Sequence, residues 1–266
     1  AGRIIYRIFS IAIPITIGAA ILPIMNMIDV AIVMRRLQAI GFSAEQANGL
    51  YGQLTGMAAP LINLPQILTA SIGISLVPAI SDANQRRNSN LVRETVQAGT
   101  RVTLLIGLPA ALGLVALAEP IMLLLYPLQR ESALGAASSL AILGIGVVFL
   151  ALVQTFTAIL QGLGRQMIPV VNLFIGALFK IAATFLLTGI YSINVRGAAV
   201  GTVLAYGVAA FLNYLAVKRL TKTKFPIGEF VIKPLISVIA MSISVLFVYG
   251  RIVAFSGNSI ATLASV

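Results

Sequence analysis

LGAASSLAILGIGVVFLALVQTFTAILQGL, Leu134 to Leu163, runs for thirty residues without one charged side chain. A helix crosses the hydrocarbon core of a bilayer in about 20 mostly apolar residues, so this stretch is long enough to span it. It is too long and too evenly apolar for a barrel strand, which alternates over about ten residues. Spanning backbone is restricted to helices and closed barrels, because lipid satisfies no peptide group. The stretch therefore reads as a transmembrane helix.

Outward from it, six more stretches meet the same length: Ile8 to Met34, Leu50 to Ile80, Val96 to Tyr126, Ile168 to Ile190, Gly197 to Val217, and Phe230 to Gly250. An eighth begins near Ser259 and is cut off at Val266. The chain as a whole agrees with these parts. It is 59% hydrophobic and only 9% charged, with a mean hydropathy of +1.03. Soluble domains carry about 25% charged residues. The expected fold is an all-α integral membrane protein, a multi-pass helix bundle in the plasma membrane.

The charge that remains is strongly positive, at +11. Lys and Arg lie between the apolar runs rather than along one face, which argues against nucleic acid and for the positive-inside pattern. With the first helix running from inside to outside, Arg3, Arg7, Arg86, Arg87, Arg93, Arg101, Arg165, Lys218, Arg219, Lys222, Lys224 and Lys233 fall inside. Arg35, Arg36, Arg130, Arg196 and Arg251 fall outside. Twelve against five fixes this orientation. Asp82 to Thr100 reads as a cytoplasmic loop leading into an amphipathic helix start.

KRLTKTKF, Lys218 to Phe225, reads as a basic linker that also meets anionic lipid headgroups. It divides a six-helix lobe, residues 1–220, from residues 221–266, which carry an extra helix and part of a last one. The chain opens on Ala1 without a signal-peptide pattern, and is read as an internal piece of a longer protein. Pro14, Pro23, Pro60, Pro65 and Pro109 fall inside the apolar runs. Each removes a backbone donor and bends its helix, as an ordinary kink or as a hinge. The small residues Gly18, Ala19 and Ala20, Gly144 and Gly146, and Gly197 and Gly201 allow helices to approach closely.

Composition also excludes chemistry. The chain has no Cys, His or Trp, which removes thiol nucleophiles, histidine bases and the usual zinc ligand sets. There is no P-loop pattern and no pair of carboxylates at catalytic spacing, Glu45 and Glu131 standing alone in their loops. Neither an enzyme nor a resident metal or cofactor is expected.

Charges within apolar runs are the informative residues, because they are costly in lipid and face a bundle interior or a watery cavity. Asp29 closes the run ILPIMNMID, with Asn26 one turn before it. Lys180 sits near the middle of its helix, on a stripe with Asn172, Gly176 and Thr184 at intervals of four. Asp29 and Lys180 are expected to meet or come close in a central cavity. There they either bind a charged group of the substrate or serve cation coupling, or else form a structural ion pair. Gln53, Asn63, Gln66, Gln154 and Asn213 are further intramembrane polar residues, suited to interhelical hydrogen bonds. Arg35 and Arg36 stand at the outer end of the first helix, placed to meet an anionic headgroup or to snorkel.

Several stretches carry a family resemblance. They are IPITIGAAILPIMNMID (Ile13 to Asp29), LYGQLTGMAAPLINLPQILTA (Leu50 to Ala70), SLVPAISDA (Ser75 to Ala83), LPAALGLVALAEPIMLLLY (Leu108 to Tyr126), LQGLGRQMIP (Leu160 to Pro169) and RGAAVGT (Arg196 to Thr202). In this order they resemble the polysaccharide transport family of stage V sporulation protein B and, more distantly, the lipid II flippases. Both belong to the multidrug/oligosaccharidyl-lipid/polysaccharide exporter superfamily. The resemblance implies two facing six-helix lobes followed by two extra helices that help form a groove for a polyprenyl tail. This chain then corresponds to the second lobe, with the first lobe as its missing partner.

Two departures stand out. Where lipid II flippases carry an Asp-Arg pair, this chain reads GMAAPLIN, Gly56 to Asn63. Some relatives hold sodium in this lobe on an aspartate matching Asp29; at the other matching places stand Lys180, Thr184 and Thr202. The expectation is that a lysine ammonium takes the place of the ion. The implied function is a flippase for an undecaprenyl-linked precursor of peptidoglycan or another wall polysaccharide, working by alternating access among membrane lipids. A cation-coupled multidrug exporter and a non-transporting scaffold of wall synthesis are the other readings.

Overall fold

In the computed structural model, which describes Thr16, Pro23, Ile24, residues 26–226 and residues 228–255, the chain is a bundle of helices. The described part of the first helix, α1, covers residues 26–39. It is followed by α2 (Ala44–Gly52), a π turn (Gln53–Ala58), α3 (Ala59–Gln85), α4 (Ser89–Ala116) and the short α5 (Ala118–Leu125). Then come α6 (Arg130–Gly162), α7 (Met167–Thr188), α8 (Arg196–Thr221), a second π turn (Gly228–Ile232) and α9 (Lys233–Phe255). Six spans among the described residues have the length and hydropathy to cross a membrane. They correspond to the expected stretches from Leu50 onward. Pro14, the small residues Gly18 to Ala20 and the last helix from Ser259 lie outside the described residues.

Several boundaries depart from the expectation, each for a local reason. Ser43 and Gln46 form a capping box that starts α2 well before Leu50. α2 then continues through the π turn into α3, a helical run of 42 residues. At 1.5 Å per residue this is roughly 63 Å, twice the bilayer core, so part of it lies beyond the hydrocarbon. The stretch Val96 to Tyr126 is broken at Leu117, whose φ of −108° and ψ of 18° leave the helical region. The polar segment Asp82 to Thr100 holds no long loop. Asn88 accepts a hydrogen bond from the Leu91 N–H at 3.1 Å and starts α4 only three residues after α3 ends.

α6 is the axis of the bundle, packed against α3, α4, α5 and α8. Three polar residues within one of its turns explain this position. Gln154 accepts the Thr69 hydroxyl of α3 at 2.7 Å. Thr155 meets Thr103 of α4 at 2.6 Å. Thr157 accepts the Asn213 amide of α8 at 3.5 Å. One turn of α6 thus ties three neighbours, each polar group finding a partner that lipid would not supply. Apolar clusters lie at either end of this belt, one around Val33, Leu37, Met122 and Leu140, the other around Ile80, Val96, Ile159 and Val217. Gly164 (φ 73°) closes α6 in the left-handed region, with the Arg165 N–H bonded to the Leu160 carbonyl at 2.8 Å.

Candidate functional site

The bundle brings α1 against the second half of α7. Asp29 is 7% exposed, and its Oδ2 forms an ion pair with the Lys180 ammonium. The two charges sit on helices separated by about 150 residues of sequence, with side chains 10% and 12% accessible. Asp29 Oδ1 has no hydrogen-bond partner among the described residues, nor do the hydroxyls of Thr184 and Thr188 on α7. Tyr51 at the end of α2 and Tyr206 on α8 lie within electrostatic range of Asp29. Neither tyrosine carries a signal in the sequence, since each lies in an ordinary apolar run. Their hydroxyls are the polar groups that sequence reasoning missed.

Toward the other end of α1, Arg36 donates from Nε to the Phe185 carbonyl at 3.0 Å. Its guanidinium lies 4.3 Å from the Phe185 ring centroid and packs over Gly189, where a side chain would collide with it. Arg36 therefore satisfies a terminal carbonyl of α7. Phe42 continues the contact by stacking on Tyr191 at 5.2 Å. Asp29, Arg36 and Phe42 thus meet Lys180, Phe185 and Tyr191 in the same order, as two helices running in one direction require.

The stripe Asn172, Gly176, Lys180 and Thr184 does not line open space. It faces α8. A Cβ at Gly176 would sit 2.6 Å from the Ala205 carbonyl oxygen, and one at Gly201 would sit 2.5 Å from Thr184 Oγ1. Only hydrogen at these positions allows the two backbones so close. Asn172 donates to Asn213 at 2.8 Å, and Thr184 is fully buried. The stripe is a packing seam from which the long Lys180 side chain alone reaches α1.

The remaining residues are dispersed. Asn26 and Arg35 are exposed on α1. Gln53 lies in the π turn across Gly135 of α6. The Thr202 hydroxyl donates to the Ala198 carbonyl of its own helix at 3.0 Å. This arrangement does not fit a sodium ion. An ammonium already holds one oxygen of Asp29, Thr202 is turned to its own backbone, and Thr184 is enclosed against Gly201. Among the described residues, no three His, Cys, Asp or Glu side chains group to hold a metal.

Comparison with known proteins bears on the whole chain. Stage V sporulation protein B of Bacillus subtilis (strain 168) is 26% identical over 238 residues, which are 90% of this chain and 45% of the relative. Lipid II flippase MurJ of the same organism is 26% identical over 218 residues, 82% of this chain and 39% of the relative. This chain therefore spans about half the length of these curated relatives. A solved structure described as lipid II flippase MurJ in an inward closed conformation superposes with a TM-score of 0.68 at 19% identity, covering 93% of this chain and 50% of that one. It shows a shared fold. A second, a transporter of the MOP superfamily from Pyrococcus furiosus, gives 0.57 at 19% identity, covering 95% of this chain and 57% of that one. The family model described as "Lipid II flippase MurJ" matches residues 5–263, and with nearly the whole chain inside that match the protein belongs to the lipid II flippase MurJ family.

Proposed function

We propose that the protein of which this chain is a part flips an undecaprenyl-linked oligosaccharide or peptidoglycan precursor across the plasma membrane. The observation that carries this reading is the family match over residues 5–263. The chain supplies one lobe, residues 1–220, and the extra-helix region, residues 221–266; the other lobe completes the transport path.

Within this lobe the Asp29–Lys180 pair is the working element. A charge pair in lipid is retained against a desolvation cost of several kcal/mol per ion. A purely structural seam between α1 and α7 has cheaper solutions, as α7 and α8 demonstrate with glycine. The Lys180 ammonium lies against Asp29 and offsets the carboxylate charge in place of a bound cation, so the pair needs no diffusible ion. The Asp29 oxygen left without a partner becomes available when α1 and α7 separate. Alternating access then makes and breaks the pair.

Depletion of the full-length protein in its host, with precursor counted on each leaflet, tests the reading. Precursor accumulating on the cytoplasmic leaflet, restored by wild type and not by Lys180→Ala, is expected. Unchanged sidedness on depletion contradicts it, and places a drug exporter or a scaffold of wall synthesis first.

A further inference from the structure

α9 packs chiefly against α4, and most of its surface is exposed. The two helices do not close on each other. Between them runs a groove of about 540 Å³, walled by Leu105 and Pro109 of α4 and by Val238 and Met241 of α9. Arg101 and Lys233 stand in the same groove, and both are exposed. Three crossings, α6, α7 and α8, separate α4 from α9, so the two helices run in the same direction. Arg101 and Lys233 begin the lining segment of their respective helices and therefore lie level, at one end. That end is shared with the basic linker and is cytoplasmic by the charge bias.

The mouth is held in place by side chains. Arg93 of α4 donates to the Thr221 carbonyl at 3.1 Å, and Gln97 donates to the Lys224 carbonyl at 2.7 Å. Phe225 packs edge-on against Phe156 and Phe230. These contacts fix the linker across α4 and set where α9 begins. The groove is preformed rather than a gap between loosely placed helices.

Its shape selects its occupant. From residue 101 to 109, and from 233 to 241, each helix rises about 12 Å. One leaflet's hydrocarbon is about 15 Å deep, half of the bilayer core. The groove is thus an apolar channel of leaflet depth with two cations at its headgroup end. Most of the net charge of +11 stands on the same side. We infer that this groove holds one anionic glycerophospholipid of the cytoplasmic leaflet, its phosphate between Arg101 and Lys233 and an acyl chain between α4 and α9. A zwitterionic lipid brings its own cation to the same place, where Arg101 and Lys233 repel it. The lipid is a fixed part of the protein that cements the extra helix to the lobe, and the inference stands whichever substrate is transported.

The test uses the full-length protein, purified in mild detergent and equilibrated with equal amounts of phosphatidylglycerol and phosphatidylethanolamine. Retained lipid is counted by mass spectrometry of the intact complex. Wild type is expected to retain phosphatidylglycerol preferentially, and Arg101→Gln with Lys233→Gln to lower that preference roughly tenfold, since each basic side chain near a membrane contributes severalfold to anionic-lipid attraction. Arg87→Gln with Arg165→Gln, both in exposed loops away from the groove, removes the same charge from the same side and leaves the preference intact. Both altered pairs are exposed, so the packed core is untouched. Equal retention of the two lipids by wild type overturns the inference. An equal loss in the Arg87 and Arg165 control, or displacement of phosphatidylglycerol by stoichiometric polyprenyl diphosphate, does so as well.

Discussion

Two polar regions cross the apolar interior of this bundle, and they are built on opposite principles. The belt on α6 is neutral and satisfied. Gln154, Thr155 and Thr157 each meet a polar side chain of a different helix. The α1–α7 contact is charged and incompletely satisfied. Asp29 binds Lys180 through one oxygen and leaves the other without a partner among the described residues. A neutral hydrogen bond between membrane helices contributes about 0.6 kcal/mol on average, which suits a scaffold assembled from many such contacts. A buried ion pair contributes little as a pair, yet leaves a costly lone charge once one partner is removed. The belt makes the lobe. The pair makes one contact that would leave a stranded charge if broken.

Mutations that separate the two regions follow from this difference. Lys180→Met strands the Asp29 carboxylate and is expected to lower stability by about 3 kcal/mol, read as the unfolding midpoint of the full-length protein in detergent. A loss no larger than that of a belt variant would erase the distinction. Gly201→Val drives a side chain into Thr184 and pushes α7 from α8, at about 2 kcal/mol. Because α7 carries Lys180, this variant should also weaken transport, measured as precursor sidedness. Arg36→Met removes the bond to the Phe185 carbonyl at the far end of the α1–α7 contact and should cost about 1 kcal/mol, with transport retained. Thr155→Val should be the mildest, at about 0.6 kcal/mol. Transport lost in Thr155→Val at unchanged stability would make the belt more than a scaffold.

Much of the lobe is legible in the sequence because lipid leaves the backbone few options. Thirty residues without a charge from Leu134 to Leu163 specify a helix almost unaided. Its actual start at Arg130, the break at Leu117 and the π turn before Ala59 were not legible. They are set by caps and packing, to which hydropathy is blind. Charge in an apolar run marked Asp29 and Lys180, since lipid penalises both. Their contact needed the structure, because spacing along each helix says nothing of what lies across from it. The stripe of Asn172, Gly176 and Thr184 illustrates the limit. A period of four marks a common face, and small residues there suit a cavity wall or a close helix neighbour equally. Gly176 facing the Ala205 carbonyl decides for the neighbour. The sequence signal was Gly197 and Gly201 on the next helix.

The most direct test of the account combines Asp29→Asn with Lys180→Gln in the full-length protein and measures precursor flipping at matched expression. Removing both charges leaves no lone ion, so folding stability should return to within about 1 kcal/mol of wild type. The account predicts that flipping nevertheless stays lost, because the charged contact that α1 and α7 make and break is gone. Wild-type flipping by this neutral pair would contradict it, and would reduce Asp29 and Lys180 to a fastening between two helices.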